Sequence, residues 1–103
     1  MGAIAAQLDA YLFCDGATPP VMTTNRRITS VTRAGAGDFT VNLDRALDAN
    51  EMMPCICPGT VGIMYRVVNT SDTAKQLLFI NNAAAATDST FYAAFWRVAW
   101  GGH

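Results

Sequence analysis

The sequence predicts an all-β fold: a small β-sandwich or jelly-roll-like domain of about seven or eight short antiparallel strands. Two observations predict it. Phe39, Val41 and Leu43 alternate with Asp38, Thr40, Asn42 and Asp44, a period of two that gives a strand one apolar and one wet face. Turn signals also recur along the whole chain at the roughly eight-to-twelve-residue spacing of sandwiches and barrels.

Leu8 to Asp15 reads as a strand with Tyr11 and Phe13 on one face. A short helix from Ile4 to Leu12 competes, because Ile4, Leu8 and Tyr11 have helical spacing. Ala17-Thr18-Pro19-Pro20 is a loop, since its prolines cannot donate to a sheet ladder. Arg26 to Arg33 and Asp38 to Arg45 form a hairpin. Its turn carries Gly35, Gly37 and Asp38, and both glycines can take positive φ at low cost. Leu47 to Glu51 is a turn or a single helical turn. Met52 to Cys57 is a strand that Pro54 marks as an edge or a bulge. After the Pro58-Gly59 turn, Gly62 to Asn69 is a strand built on Ile63, Tyr65 and Val67. Thr70 to Thr73 is a turn cluster, and Gln76 to Asn81 is the next strand. Asn82 to Thr90 is a loop whose alanine run is too short to hold a helix alone. Phe91 to Trp100 is the last strand. Phe91, Ala93, Phe95 and Arg97 share one face; Tyr92, Ala94, Trp96, Val98 and Trp100 share the other. A strand apolar on both faces calls for cover on both sides, by the second sheet and by a neighbouring subunit.

The chain has 103 residues, which suits one domain and not two. Apolar residues make up 51% and charged residues 15%, against roughly 25% charged in an average domain. So small a domain has too little interior to hide that much apolar surface, so part of it is expected to be buried against other chains. Net charge is −1 with no basic run, which argues against nucleic-acid binding through phosphates. No apolar run reaches the ~18–20 residues of a membrane-spanning helix. The first residues lack a basic segment and carry Asp9 and Asp15, so no signal peptide is expected.

Cys14, Cys55 and Cys57 are an odd set, read as reduced thiols of a protein made in a cytoplasm. On a strand Cys55 and Cys57 point to one face, which is half a metal site. Structural zinc wants four ligands, and the single histidine is the terminal His103. The reading is therefore no metal and no cofactor. One terminal histidine also leaves no Ser-His-Asp or Cys-His set, so no catalytic residue is named and no enzyme is expected. Asp38 and Asp44 are read as solvated strand residues rather than an acid–base pair. Gly35 and Gly37 do not open a helix as a phosphate loop would. Met52, Met53 and Met64 are packing residues, and Arg26-Arg27 is a solvated or interchain pair. Phe91, Tyr92, Phe95, Trp96 and Trp100 are read as core or subunit interface, with Phe91, Phe95, Trp96 and Trp100 named for the interface and a sugar-binding platform as the less favoured use.

The segment from Asn25 to Arg33, followed by Ala34-Gly35-Ala36-Gly37-Asp38-Phe39-Thr40-Val41-Asn42-Leu43, resembles phage tail-fibre and virion-surface β-domains. Ala10-Tyr11-Leu12-Phe13-Cys14-Asp15-Gly16 is similar to the element that precedes this hairpin in those domains. Ala46-Leu47 takes the place of an Ala-Leu-Pro or Ala-Met-Pro step, with the proline missing. Beyond Glu51 only the strand rhythm agrees.

The resemblance implies a sandwich-like, typically trimeric domain on the outside of a virion that binds rather than catalyses. The family's long fibre shaft is absent here, which favours a capsid decoration or cement protein. Its partners would be two further copies of itself and the major capsid protein or other virion proteins. It would be assembled in the host cytoplasm and sit on the virion surface. The alternative is a tail-fibre or tail-tip module binding host glycans. Three segments are candidates for docking. One is an N-terminal arm at residues 1–7, with Ile4, Ala5, Ala6 and Gln7 laid against another chain; a frayed terminus is the equal alternative. The others are the loops Thr18–Met22 and Asn82–Thr90.

Overall fold

A computed structural model describes the backbone of residues 4–100 and the side chains of residues 6–98. Eight antiparallel strands form two four-stranded sheets. The strands are β1 (Ile4–Cys14), β2 (Met22–Arg26), β3 (Ile28–Gly35), β4 (Asp38–Leu43), β5 (Met52–Pro58), β6 (Met64–Asn69), β7 (Ala74–Ile80) and β8 (Phe91–Trp100). The first sheet runs β2-β1-β8-β5 and the second β3-β4-β7-β6. A 3₁₀ turn, Ala49–Glu51, precedes β5, and the Asp48 carboxylate caps it by accepting from the Asn50 N–H at 2.8 Å.

The core lies between the sheets. Leu12, Cys14, Phe91, Ala93, Phe95 and Ile56 enter it from the first sheet. Phe39, Val41, Leu77 and Phe79 meet them from the second. Phe91 stands 5.4 Å from Phe39 and 5.2 Å from Phe79, centroid to centroid, so the two sheets are joined through aromatic contact. The period of two explains which residues enter. On β4 burial alternates strictly, with Phe39, Val41 and Leu43 buried.

β1 begins at Ile4 and is a strand throughout, which removes the helical alternative. The helical spacing of Ile4, Leu8 and Tyr11 is produced by a β-bulge. The register between β1 and β8 shifts between Leu8 and Ala10, so Asp9 is the extra residue and the strand changes parity there. β2 runs antiparallel to β1 in a stretch with no strong alternation. After it, Arg27 takes a φ of 59° and lets the chain cross to the second sheet.

Four expectations are corrected. Phe91 and Phe95 are not interface residues: both are completely buried within their own chain, because the inward face of β8 packs on the second sheet. Gly35 needs no special backbone; only Gly37, at φ +65°, occupies the left-handed region. The arm is not free, because Ile4 to Gln7 pair with Trp100 to Arg97 as part of β1. Met1 to Ala3 lie outside the described residues. Ile63 precedes β6 rather than opening it, and Tyr65 is 46% exposed at the sheet edge.

Candidate docking face

The outer face of the first sheet carries a continuous uncharged surface across three strands. Residues directly opposite each other in an antiparallel pair share a face. The register therefore places Leu8, Tyr11 and Phe13 of β1 with Tyr92, Ala94, Trp96 and Val98 of β8. Met53, Cys55 and Cys57 of β5 continue the same face, opposite Trp96, Ala94 and Tyr92. None of these ten residues is charged. Arg26 of β2, opposite Tyr11, borders the face at its edge. Tyr92 is 60% exposed and Met53 48%.

A hollow of about 330 Å³ opens on this face, floored by Ala93 and Ala94 and walled by Tyr11, Phe13, Tyr92, Cys55 and Cys57. It exists because Ala94 stands between two large neighbours on one strand face, Tyr92 and Trp96. Its lining is mostly apolar, with Thr24 and the two tyrosines as the residues that carry hydroxyl groups. The hollow suits an apolar side chain or the flat side of a ring.

Pro54 and Pro58, opposite Phe95 and Phe91, have no N–H to donate, which disfavours strand addition along the open edge of β5.

The second sheet presents a different exterior. Ser30, Thr32, Asp38, Thr40, Asn42 and Gln76 make its outer face polar on three strands. The Asn42 amide donates to Ser30 Oγ at 3.0 Å, and the Gln76 amide donates to Asp38 at 2.9 Å. Asp38 is thus a strand-face acceptor that starts β4. Apolar surface is added near the β6 edge by Leu78, Ile80 and Met64, with Tyr65 beside them.

Loops that are distant in sequence gather at one end. The Asp88 carboxylate of the 81–90 segment accepts from Arg33 at 2.8 Å and from the Gly37 N–H at 2.8 Å. It thereby ties that loop to the β3–β4 turn. The Arg33 guanidinium holds Asp88 below the usual carboxylate range, against the opposing effect of burial. Gly16 packs against the Ser89 backbone, which brings the loop after β1 to the same place. Asp15 shapes that loop by accepting from the N–H groups of Ala17 and Val21 at 3.0 and 2.9 Å. These backbone bonds lower the Asp15 pKa. The two loops expected to dock, Thr18–Met22 and Asn82–Thr90, therefore share one end of the sandwich. Val21 is 51% exposed there, and Val61, in the nearby β5–β6 loop, is 99% exposed.

The opposite end carries charge. Asp9, projected by the bulge and 3% exposed, accepts from Arg45 at 2.6 Å and pairs with Arg97 at 3.4 Å. Burial raises its pKa, but the two guanidinium groups outweigh burial and hold it below the ordinary value. Lys75 is fully buried on β7; its ammonium donates to the carbonyls of Leu47 at 2.5 Å and Ser71 at 2.9 Å, and to Asn69 Oδ1. Burial pulls its pKa down, and the charges of Asp72 and Asp48 partly restore it. Both clusters tie loops to strands.

Trp96, expected at a subunit interface or in the core, lies half-buried on the outward face. Trp100 belongs to the same strand, with its side chain outside the described residues. The sequence grouped Tyr92 with Trp96, Phe13 with Tyr11, and Cys55 with Cys57 strand by strand; that the three groups form one surface follows only from the pairing of β1, β8 and β5. Cys55 and Cys57 are exposed and Cys14 is buried, its thiol pushed up mainly by burial. Among the described residues no three His, Cys, Asp or Glu side chains are grouped to hold a metal ion. No protein-family model, curated protein or solved structure matches this chain.

Proposed function

We propose that the chain is a phage virion structural protein, a capsid decoration or cement protein that docks on the capsid surface as a homotrimer. The observation that carries the reading is the uncharged outer face of the first sheet, from Phe13 and Tyr92 to Trp96 and Met53. An apolar patch of this kind, framed by polar surface, is the mark of an interaction site on a small domain. The sequence resemblance to virion-surface β-domains, centred on the Asn25–Leu43 segment, supplies the setting. On this reading the mechanism is burial of apolar area at symmetric interfaces, which clamps neighbouring capsid subunits. An interface of standard size buries on the order of 1,600 Å². With net charge near zero, electrostatics contributes modestly.

A second reading is a tail-fibre or tail-tip module that binds host glycans. The hollow between Tyr11, Phe13 and Tyr92 favours it, because aromatic faces beside hydroxyl groups suit a sugar ring. Particle stoichiometry separates the two. Copies in the hundreds per purified particle support decoration; a handful supports the tail. Absence from purified particles overturns both.

A further inference from the structure

We propose that the open edge of β6 takes up an extended, acid-bearing peptide segment of a partner protein, which joins the second sheet as a fifth strand antiparallel to β6. This edge lies on the other sheet from the docking face described above.

The outer strands of the two sheets differ in how they end the ladder. Bulges, prolines and short strands keep an edge from pairing with another chain. β2 runs into β3 through Arg27, so the chain itself turns that corner. β3 breaks register with β4 twice, between Ile28 and Ser30 and between Arg33 and Gly35. β5 carries Pro54 and Pro58. β6 keeps an unbroken register with β7 from Met64 to Asn69, with no proline and one charge, Arg66. Its outward backbone groups follow from the ladder. The Thr70 N–H donates to the Ala74 carbonyl at 3.1 Å, and bonded pairs alternate along an antiparallel ladder, so Val68, Arg66 and Met64 bond to β7. On the far side of β7, the Phe79 N–H donates to the Gly37 carbonyl at 2.8 Å, which turns Phe79 and Leu77 toward β4 and gives the same alternation. The N–H and C=O groups of Tyr65, Val67 and Asn69 therefore face the open side, as strand addition requires.

Side chains define the occupant. Arg66 is exposed and pairs with no carboxylate among the described residues. It borders a hollow of about 260 Å³ lined also by Met64, Tyr65, Leu78 and Ile80. A carboxylate opposite Arg66 and an apolar side chain opposite Met64 complement that surface. A second copy is the poorer fit, because β6 holds no acidic residue and would set two arginines without a carboxylate on one face.

The probe is the end-capped peptide Ser-Thr-Val-Glu-Val-Leu-Ser, whose glutamate falls opposite Arg66 when it runs antiparallel to β6. Its two valines then fall opposite Val67 and Tyr65 and supply the N–H groups that bond to the edge. Titration followed by amide NMR should give a Kd below about 1 mM, with hydrogen exchange slowed at Tyr65 and Val67. N-methylating both valines, or putting lysine in place of the glutamate, should weaken binding to the wild type by at least about tenfold. Arg66→Glu should prefer the lysine peptide. No binding at about 1 mM, equal binding of either altered peptide, or shifts confined to the first sheet overturns the proposal. An Arg66→Glu chain that still prefers the glutamate peptide does the same. So does a purified chain that is a dimer with its Tyr65 and Val67 amides already protected, since the edge then belongs to a second copy. Should Arg66→Glu not fold, the two altered peptides decide on the wild type. Particle stoichiometry tests the virion reading separately, and neither result decides the other.

Discussion

Phe13 and Tyr92 lie directly opposite each other on β1 and β8, their ring centroids 4.6 Å apart and their planes tilted by 47°, on the solvent side of the sheet. Their inward neighbours, Cys14 and Phe91, are fully buried in the sandwich. The same two strands thus present apolar side chains to both sides. One side is satisfied within the chain, and the other asks for a partner. Aromatic pairs of this kind add about 0.5–1.5 kcal/mol beyond area burial.

The β3–β4 turn depends on one glycine. A Cβ at Gly37 would sit 2.4 Å from the Phe79 carbonyl oxygen and 2.8 Å from that of Thr87, and the residue's φ is +65°. Gly37→Val should therefore cost about 2–4 kcal/mol, combining positive-φ strain with a clash against backbone. Gly35→Ala meets nothing within 4 Å and should change little. Thermal melts of both variants check this; equal melting temperatures would show that the turn accepts any residue.

Stability should fall in acid. Asp9 and Asp88 both have folded pKa values below the ordinary 3.8. A lowered carboxylate pKa stabilises the fold above the unfolded value, and that contribution is lost as pH drops through the folded value. The melting temperature should hold from pH 7 to about 5 and then decline through pH 4 and below. Asp9→Asn should lower stability at pH 7 by about 2–3 kcal/mol, because it leaves Arg45 and Arg97 without their shared carboxylate, and should flatten the acid decline. A variant with an unaltered acid profile would show that Asp9 is not the group responsible.

Lys75→Met keeps an unbranched apolar stem and removes the charged amine. The Leu47 and Ser71 carbonyls then lose their donor. The expected cost is about 2–4 kcal/mol, since orphaned buried acceptors cost more than the lost bond itself. Denaturant unfolding measures it. A gain in stability would mean that desolvation of the ammonium outweighs its three bonds.

Chelator and reductant should leave the melting temperature unchanged. All three cysteines are free thiols, and Cys14 is buried apart from the exposed Cys55 and Cys57. A shift of several degrees on adding either reagent would reveal a metal or a disulfide that supports the fold.

The hairpin and the last strand were legible because their patterns are local. On β4 and β8, side chains two apart must fall on one face, so parity groups Phe39 with Val41 and Leu43, and Trp96 with Tyr92. β2 and the bulge at Asp9 were not legible. Met22–Arg26 carries almost no alternation, and a bulge erases periodicity where it occurs. Lys75 was hidden for another reason: a lysine reads as solvent-facing until the oxygens that cage it are brought together from Leu47, Asn69 and Ser71.

The sequence by itself determined the all-β class, the turn at Gly37, the edge character of the Pro54 strand and the two faces of β8. Each follows from steric and periodic rules that act within a few residues. Only the tertiary structure decided which face of β8 became core. Phe91 and Phe95 are buried because β8 packs on the second sheet, and Tyr92 and Trp96 remain outside because β1 and β5 flank them without covering them. Both faces of that strand are apolar, so local pattern could not choose between them. The choice came from strand pairing across the full length of the chain, which also set Phe13, Cys55 and Cys57 beside Tyr92 as one surface.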